Sequence, residues 1–168
     1  MDAIFNRRSV RVYLDKPVEE EKIDKMLRAA MQAPSAINGQ PWEFLVVQDK
    51  ETLKKLAKMG PYSKMVEKAP LAFILFGNKK KMRVEQFFPQ DMGAASENLL
   101  LEATQLGLGG VWLGVYTVQQ REEYIKDMFE MPEEVAPFGV IVVGYPGKGQ
   151  ENKFVDRYDS KRVHYEKY

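Results

Sequence analysis

"QDMGAASENLLLEATQLGLGGVWLG", residues 90–114, decides how this chain is put together. Its first part reads as a helix. Met92, Ala94, Ala95, Leu99, Leu100, Leu101, Ala103 and Leu106 spread apolar atoms around much of a helical circumference, with small residues at one end. A helix that is apolar on most sides is enclosed by the rest of the fold. Asp91 stands where an N-cap would satisfy the first free N–H groups, and Gly107 where a helix can stop in a left-handed turn. The second part suggests a dinucleotide-binding turn, because Gly107 and Gly109 supply its first G-x-G. That fingerprint needs strand, glycine turn and helix in that order, with a third glycine at position 112. Here a helix comes first, a strand follows, and the position is Trp112, so the fingerprint is excluded. Two roles stay open for these glycines: a tight helix-to-strand turn, or a backbone that a flat molecule can approach, with an unshielded N–H at Gly114.

Upstream, "VEEEKIDKMLRAAMQA" places Val18, Ile23, Met26, Leu27, Ala30 and Met31 near i, i+3, i+4 spacing, and Glu19 to Glu21 favour its first turn. Pro34 ends it. A short helix is expected at Asp2–Asn6, and "SVRVY" alternates as a strand would. "WEFLVVQ" reads as a strand, "KETLKKLAKM" as a helix, and "LAFILFG" as a strand without alternation, hence buried on both faces. Downstream, "VQQREEYIKDMF" reads as a helix and "FGVIVVGYP" as a strand. Helices and strands alternate with uneven connections, which suits an α+β sandwich around a central sheet. The tail beyond Gly149 carries Phe154, Tyr158, Tyr165 and Tyr168, aromatics that a second copy of the chain could cover.

The 168 residues are the size of one domain, 1–168, and 45% hydrophobic content is enough for a core. The 25 basic and 24 acidic residues nearly cancel, so no overall field favours nucleic acid or an anionic membrane. With no cysteine and one histidine, disulfides, thiol nucleophiles and zinc clusters fall away. No segment reaches the roughly 20 apolar residues of a membrane span, and no signal-peptide stretch is present, so a cytoplasmic location is expected.

Three groups of residues could carry chemistry. "RRSVR" gathers Arg7, Arg8, Ser9 and Arg11, which suits either a phosphate, through paired charge-assisted hydrogen bonds, or a solvated basic arm. "PSAINGQPW", residues 34–42, packs Ser35, Asn38 and Gln40 into a connection that needs no polar side chains of its own. No carboxylate pair stands isolated in an apolar run as a tuned acid–base couple would. Glu97 could contact a ligand or form an ion pair, and His164 belongs to a charged tail.

"RRSVRVY", "APSAINGQPWEFLVV", "AASENLLLEATQLGLGGVWLG", "GVIVVGYP" and "DRYDSKRVHYEKY", in that order and over nearly the whole chain, resemble the nitroreductase family of FMN-dependent oxidoreductases. The resemblance implies a three-layer α+β sandwich whose mixed, mainly antiparallel sheet is flanked by helices, with a C-terminal tail embracing a partner subunit. It implies a homodimer holding FMN at the interface, reduced by NADH or NADPH and oxidised by a small-molecule acceptor such as a nitroaromatic or quinone. It assigns the FMN phosphate to Arg7, Arg8, Ser9 and Arg11 with Arg157 from the tail. The edge and face of the ring fall to Pro34, Ser35, Ala36, Asn38 and Gln40 of the neighbouring subunit, and flavin N5 to the backbone at Leu113 and Gly114. Amides suit a ring that presents N3–H between two carbonyls. Lys153 is a further candidate for the phosphate, and "NKKKMRVEQFFPQ" is where longer family members carry structure that shapes the substrate pocket. No side chain is expected to act as a catalytic acid or base.

Overall fold

Four strands form one sheet in the order β1-β2-β4-β3, every neighbouring pair antiparallel, in a computed structural model that describes residues 2–168. The strands are β1 (Trp42–Val47), β2 (Leu71–Asn78), β3 (Gly109–Gly114) and β4 (Val135–Gly144). The helices are α1 (Ala3–Asn6), α2 (Glu20–Met31), α3 (Lys50–Leu56), α4 (Phe88–Gln105) and α5 (Gln119–Met128). The parallel component is the single Ser9–Gly110 bridge.

The unbroken apolar run of β2 follows from burial on both faces. Leu71, Phe73 and Leu75 join Ile141 and Val143 of β4 in a core under α2 and α4, whereas Ala72 and Ile74 join Val140 and Val142 in a second core. That second core contains Leu53 and Leu56 of α3, Val66 and Ile125 of α5. Helix, sheet and helix thus make three layers. Each fully buried Leu, Ile or Phe contributes about 1.5–3 kcal/mol relative to an exposed one, so most of the drive to fold lies in these two layers. Ser96 and Thr104 sit buried in α4 because their hydroxyls donate to the carbonyls of Met92 and Leu100, at 2.7 and 3.0 Å. The helix ends where expected, with Gly107 at φ +77°.

Two local expectations are corrected. Asp91 is not the N-cap: α4 begins earlier, at Phe88 with Pro89 in its first turn, and Asp91 lies inside the helix. Its carboxylate instead accepts the Ala36 N–H at 2.9 Å, anchoring the 34–42 loop. "SVRVY" forms no strand, only isolated pairings of Ser9 with Gly110 and Tyr13 with Pro146. Its N–H groups are divided among partners. Val10 donates to Gly110 O at 3.0 Å and Arg11 to the Gln150 side chain, while Arg8, just ahead of the segment, donates to the Asn152 side chain. This segment lies so close to β3 that a Cβ on Gly109 would come within 2.5 Å of the Val10 side chain.

β3 is an edge strand, and residues 9–10 cover only its first half. Val115 N–H continues the ladder to Phe138 O at 3.2 Å. Hydrogen-bonded and non-bonded pairs alternate along an antiparallel ladder, so Trp112 and Gly114 turn their N–H and C=O groups to the open edge.

Candidate functional site

The uncovered half of β3 opens on a cavity of about 450 Å³, lined by Trp112, Leu113 and Gly114, by Arg11, by the 59–65 segment and by Arg121. A Cβ built on Gly114 would meet nothing within 4 Å. The space is flat-sided backbone on one side and carries Arg11, Lys64 and Arg121 without any carboxylate. Trp112 is anchored by Phe138, ring centroids 5.4 Å apart, within an aromatic group that includes Phe88 and Tyr116.

Next to it along the N-terminal segment lies a smaller pocket of about 260 Å³, lined by Arg8, Ser9, Val10, Gly149, Gln150, Glu151 and Lys153. The tail positions this pocket. Asn152 accepts from Arg8 N at 3.1 Å and donates to Leu108 O at 2.7 Å, and Gln150 accepts from Arg11 N at 3.0 Å. Asn152→Ala is expected to lower stability by about 1–3 kcal/mol, two net hydrogen bonds' worth, measured by urea denaturation.

The charges in the smaller pocket are out of balance. Burial, reinforced by the charges of Arg157 and then Arg7, pulls the Arg8 guanidinium below its usual pKa. Arg7 is answered by Glu97 at 3.1 Å, but the buried Arg8 Nε has no hydrogen-bond partner. Such a group ordinarily finds an acceptor, and like charges held together favour a bound anion.

The predicted residues therefore separate into two groups within one chain. Arg8 and Ser9 line the anion pocket, with Arg7 and Arg157 within electrostatic reach of Arg8, while Arg11 with Leu113 and Gly114 lines the larger cavity. Pro34, Ser35, Ala36, Asn38 and Gln40 line neither. Their loop is strained. Ile37, Asn38 and Gln40 take φ of +51°, +52° and +48°, held by a Gln40 N–H to Ser35 Oγ bond of 3.0 Å and a Gln40 Nε2 to Asn38 Oδ1 bond of 2.8 Å. A left-handed β-branched residue is an outlier, and Ile37 is 67% exposed. Glu97 is an ion-pair partner of Arg7, and His164 stacks on Tyr168.

Sequence reasoning missed Arg121, the 59–65 wall, Gln150 and Asn152. No motif marks residues 59–65, and no spacing ties residues 150 and 152 to residues 8 and 11. Among the described residues no cluster of metal-ligating side chains occurs, and no helix is long and apolar enough to cross a membrane.

The model of the nitroreductase family matches residues 4–63 and 58–145. The chain belongs to the nitroreductase family. A Methanothermobacter thermautotrophicus protein, provisionally named NADH dehydrogenase/NAD(P)H nitroreductase, is 45% identical over 168 residues, covering 100% of this chain and 87% of its own. The crystal structure of a provisionally named NADH oxidase from Clostridium acetobutylicum superposes with a TM-score of 0.98 at 52% identity, covering 99% of this chain and all of that one. A provisionally named nitroreductase from Desulfovibrio desulfuricans, solved in complex with FMN, gives a TM-score of 0.86 at 32% identity over 99% of this chain and 95% of that one. The α+β sandwich is thus the nitroreductase fold, and family membership makes the chain an FMN-dependent NAD(P)H oxidoreductase.

Proposed function

We propose that the chain works as a homodimer that passes a hydride from NADH or NADPH, through FMN, to a small planar acceptor such as a nitroaromatic or quinone. The observation that carries this reading is the succession of two pockets along residues 8–11, an anion pocket with an orphaned Arg8 Nε beside a cavity floored by the open edge of β3. The donors suit FMN. Arg8 and Ser9, with Arg7 and Arg157 close by and Lys153 on the wall, would hold the phosphate. Arg11 lines the larger cavity and so would face the ring, departing from the phosphate role that the resemblance implies for it. Leu113 and Gly114 would lie under the ring, the Gly114 N–H directed at it from the strand edge.

Bound FMN supplies the hydride chemistry, and the protein supplies placement and electrostatics. Arg11, Lys64 and Arg121 line the cavity and would hold positive charge where negative charge develops on reduction. The cavity lining offers no carboxylate, histidine or cysteine, and solvent could supply the acceptor's protons.

Ser35, Ala36, Asn38 and Gln40 reach the ring in this reading from the second subunit, which accounts for a strained, polar loop remote from the cavity of its own chain. The dimer would also cover Ile4, Phe5, Ile37, Phe154, Tyr158 and Tyr165, all exposed in the single chain. Apolar surface exposed on this scale is a mark of an interface.

Reductant and acceptor would use one ring face in turn, so double-reciprocal plots at fixed acceptor concentrations are expected to be parallel, as ping-pong kinetics require. Intersecting lines would overturn the shared-face reading. A visible flavin spectrum that bleaches with NADH under anaerobic conditions, on material that sediments as a dimer, tests the rest.

A further inference from the structure

We infer that Arg121 is a positioning residue that fixes the outer end of β3 and biases the bound ring toward its reduced, anionic state. The inference rests on the FMN reading of the cavity and extends it to a residue outside the arginine-serine segment. Arg121 lies in the first turn of α5, where the helix dipole favours acidic residues and disfavours a cation. Its placement is thus not for the helix. Its Nη1 donates to Gly114 O at 2.7 Å, on the open edge of β3, and so holds the glycine whose N–H faces the cavity. A guanidinium has five donors in a planar fork, and this bond uses one of them. No carboxylate among the described residues lies at ion-pair distance from Arg121, so its charge is left to act on the cavity it lines. A ring that gains negative charge on reduction is held more tightly by such a fixed cation than the neutral oxidised ring.

The test is the midpoint potential of protein-bound FMN, measured by equilibration with a reference dye in the wild type, Arg121→Gln and Arg121→Lys. Arg121→Gln is expected to lower the preference for reduced over oxidised FMN about tenfold, which is about 30 mV for a two-electron couple. Arg121→Lys keeps the charge and is expected to stay nearer the wild-type potential than Arg121→Gln. A bound flavin in Arg121→Gln with the wild-type potential would overturn the inference, as would a loss in Arg121→Lys equal to that in Arg121→Gln. Arg121→Met keeps the packing of the stem without the charge, and is read in the same way should Arg121→Gln lose its fold. A wild type that takes up no FMN refutes the functional reading itself. A wild type that binds FMN, beside a charge-free variant of unmoved potential, refutes the role of Arg121 alone.

Discussion

Gly114→Val is expected to yield a colourless protein that is folded as well as the wild type. The side chain at this position projects into open space, with no heavy atom within 4 Å of where its Cβ would stand, so the apo-fold has no clash to relieve. Gly114 is also not among the residues with positive φ, so a β-branched residue suits its extended backbone. The open space is where the ring would lie. An isopropyl group there holds a planar ligand off the strand and separates it from the Gly114 N–H, and loss of stacking contact and of a hydrogen bond together should weaken FMN binding at least about a hundredfold. Titration of apo-protein with FMN, followed by flavin fluorescence, measures the affinity, and urea denaturation the fold. A valine variant that binds FMN as the wild type does would place the ring elsewhere. One that unfolds would mean that glycine serves the strand.

The layers were legible in the sequence because they rest on periodicity. Ile23, Met26 and Ala30 form one buried stripe of α2, and the non-alternating "LAFILFG" is buried on both faces as its composition requires. The Arg-Ser cluster was legible as charge, and Gly114 as an unshielded edge. What stayed hidden depends on contacts far apart in the chain. Asp91 has the look of a helix cap, yet its partner is Ala36, fifty-five positions away. The segment "SVRVY" has strand alternation, but the N–H donors of Arg11 and of Arg8 just ahead of it go to the Gln150 and Asn152 side chains, which leave no periodic trace. Arg121 stood in a helix with an ordinary polar face, and its bond to Gly114 O exists only because α5 returns to the end of β3. Side-chain bonds between distant segments are thus the part of this site that local pattern could not reveal, and they hold the pocket walls together.

Arg8→Ala is expected to separate affinity from stability. In the free protein Arg8 is held near Arg7 and Arg157, its Nε buried without an acceptor, and its pKa lowered first by burial and then by those two charges. A cation whose folded pKa is depressed is less comfortable folded than unfolded, and the deficit is present at every pH where the group is charged, neutral pH included. Removing it relieves that deficit but also ends the guanidinium's donations to Arg7 O and Phe5 O, so the apo-variant should melt close to the apo-wild type. With the phosphate bound the balance shifts, because the same guanidinium would then make charge-assisted bonds to an anion in a partly buried site. Loss of one such contact should weaken FMN binding about tenfold to a hundredfold. Arg157→Ala, which removes a neighbour of Arg8, should weaken FMN less than Arg8→Ala does, since Arg157 acts on the pocket from outside its lining. Two melting curves for each protein, with and without saturating FMN, decide the matter: a ligand that binds only the folded state raises the melting temperature in proportion to the logarithm of its occupancy ratio. The wild type should gain more than either variant, and an equal gain in all three would take the phosphate away from these arginines.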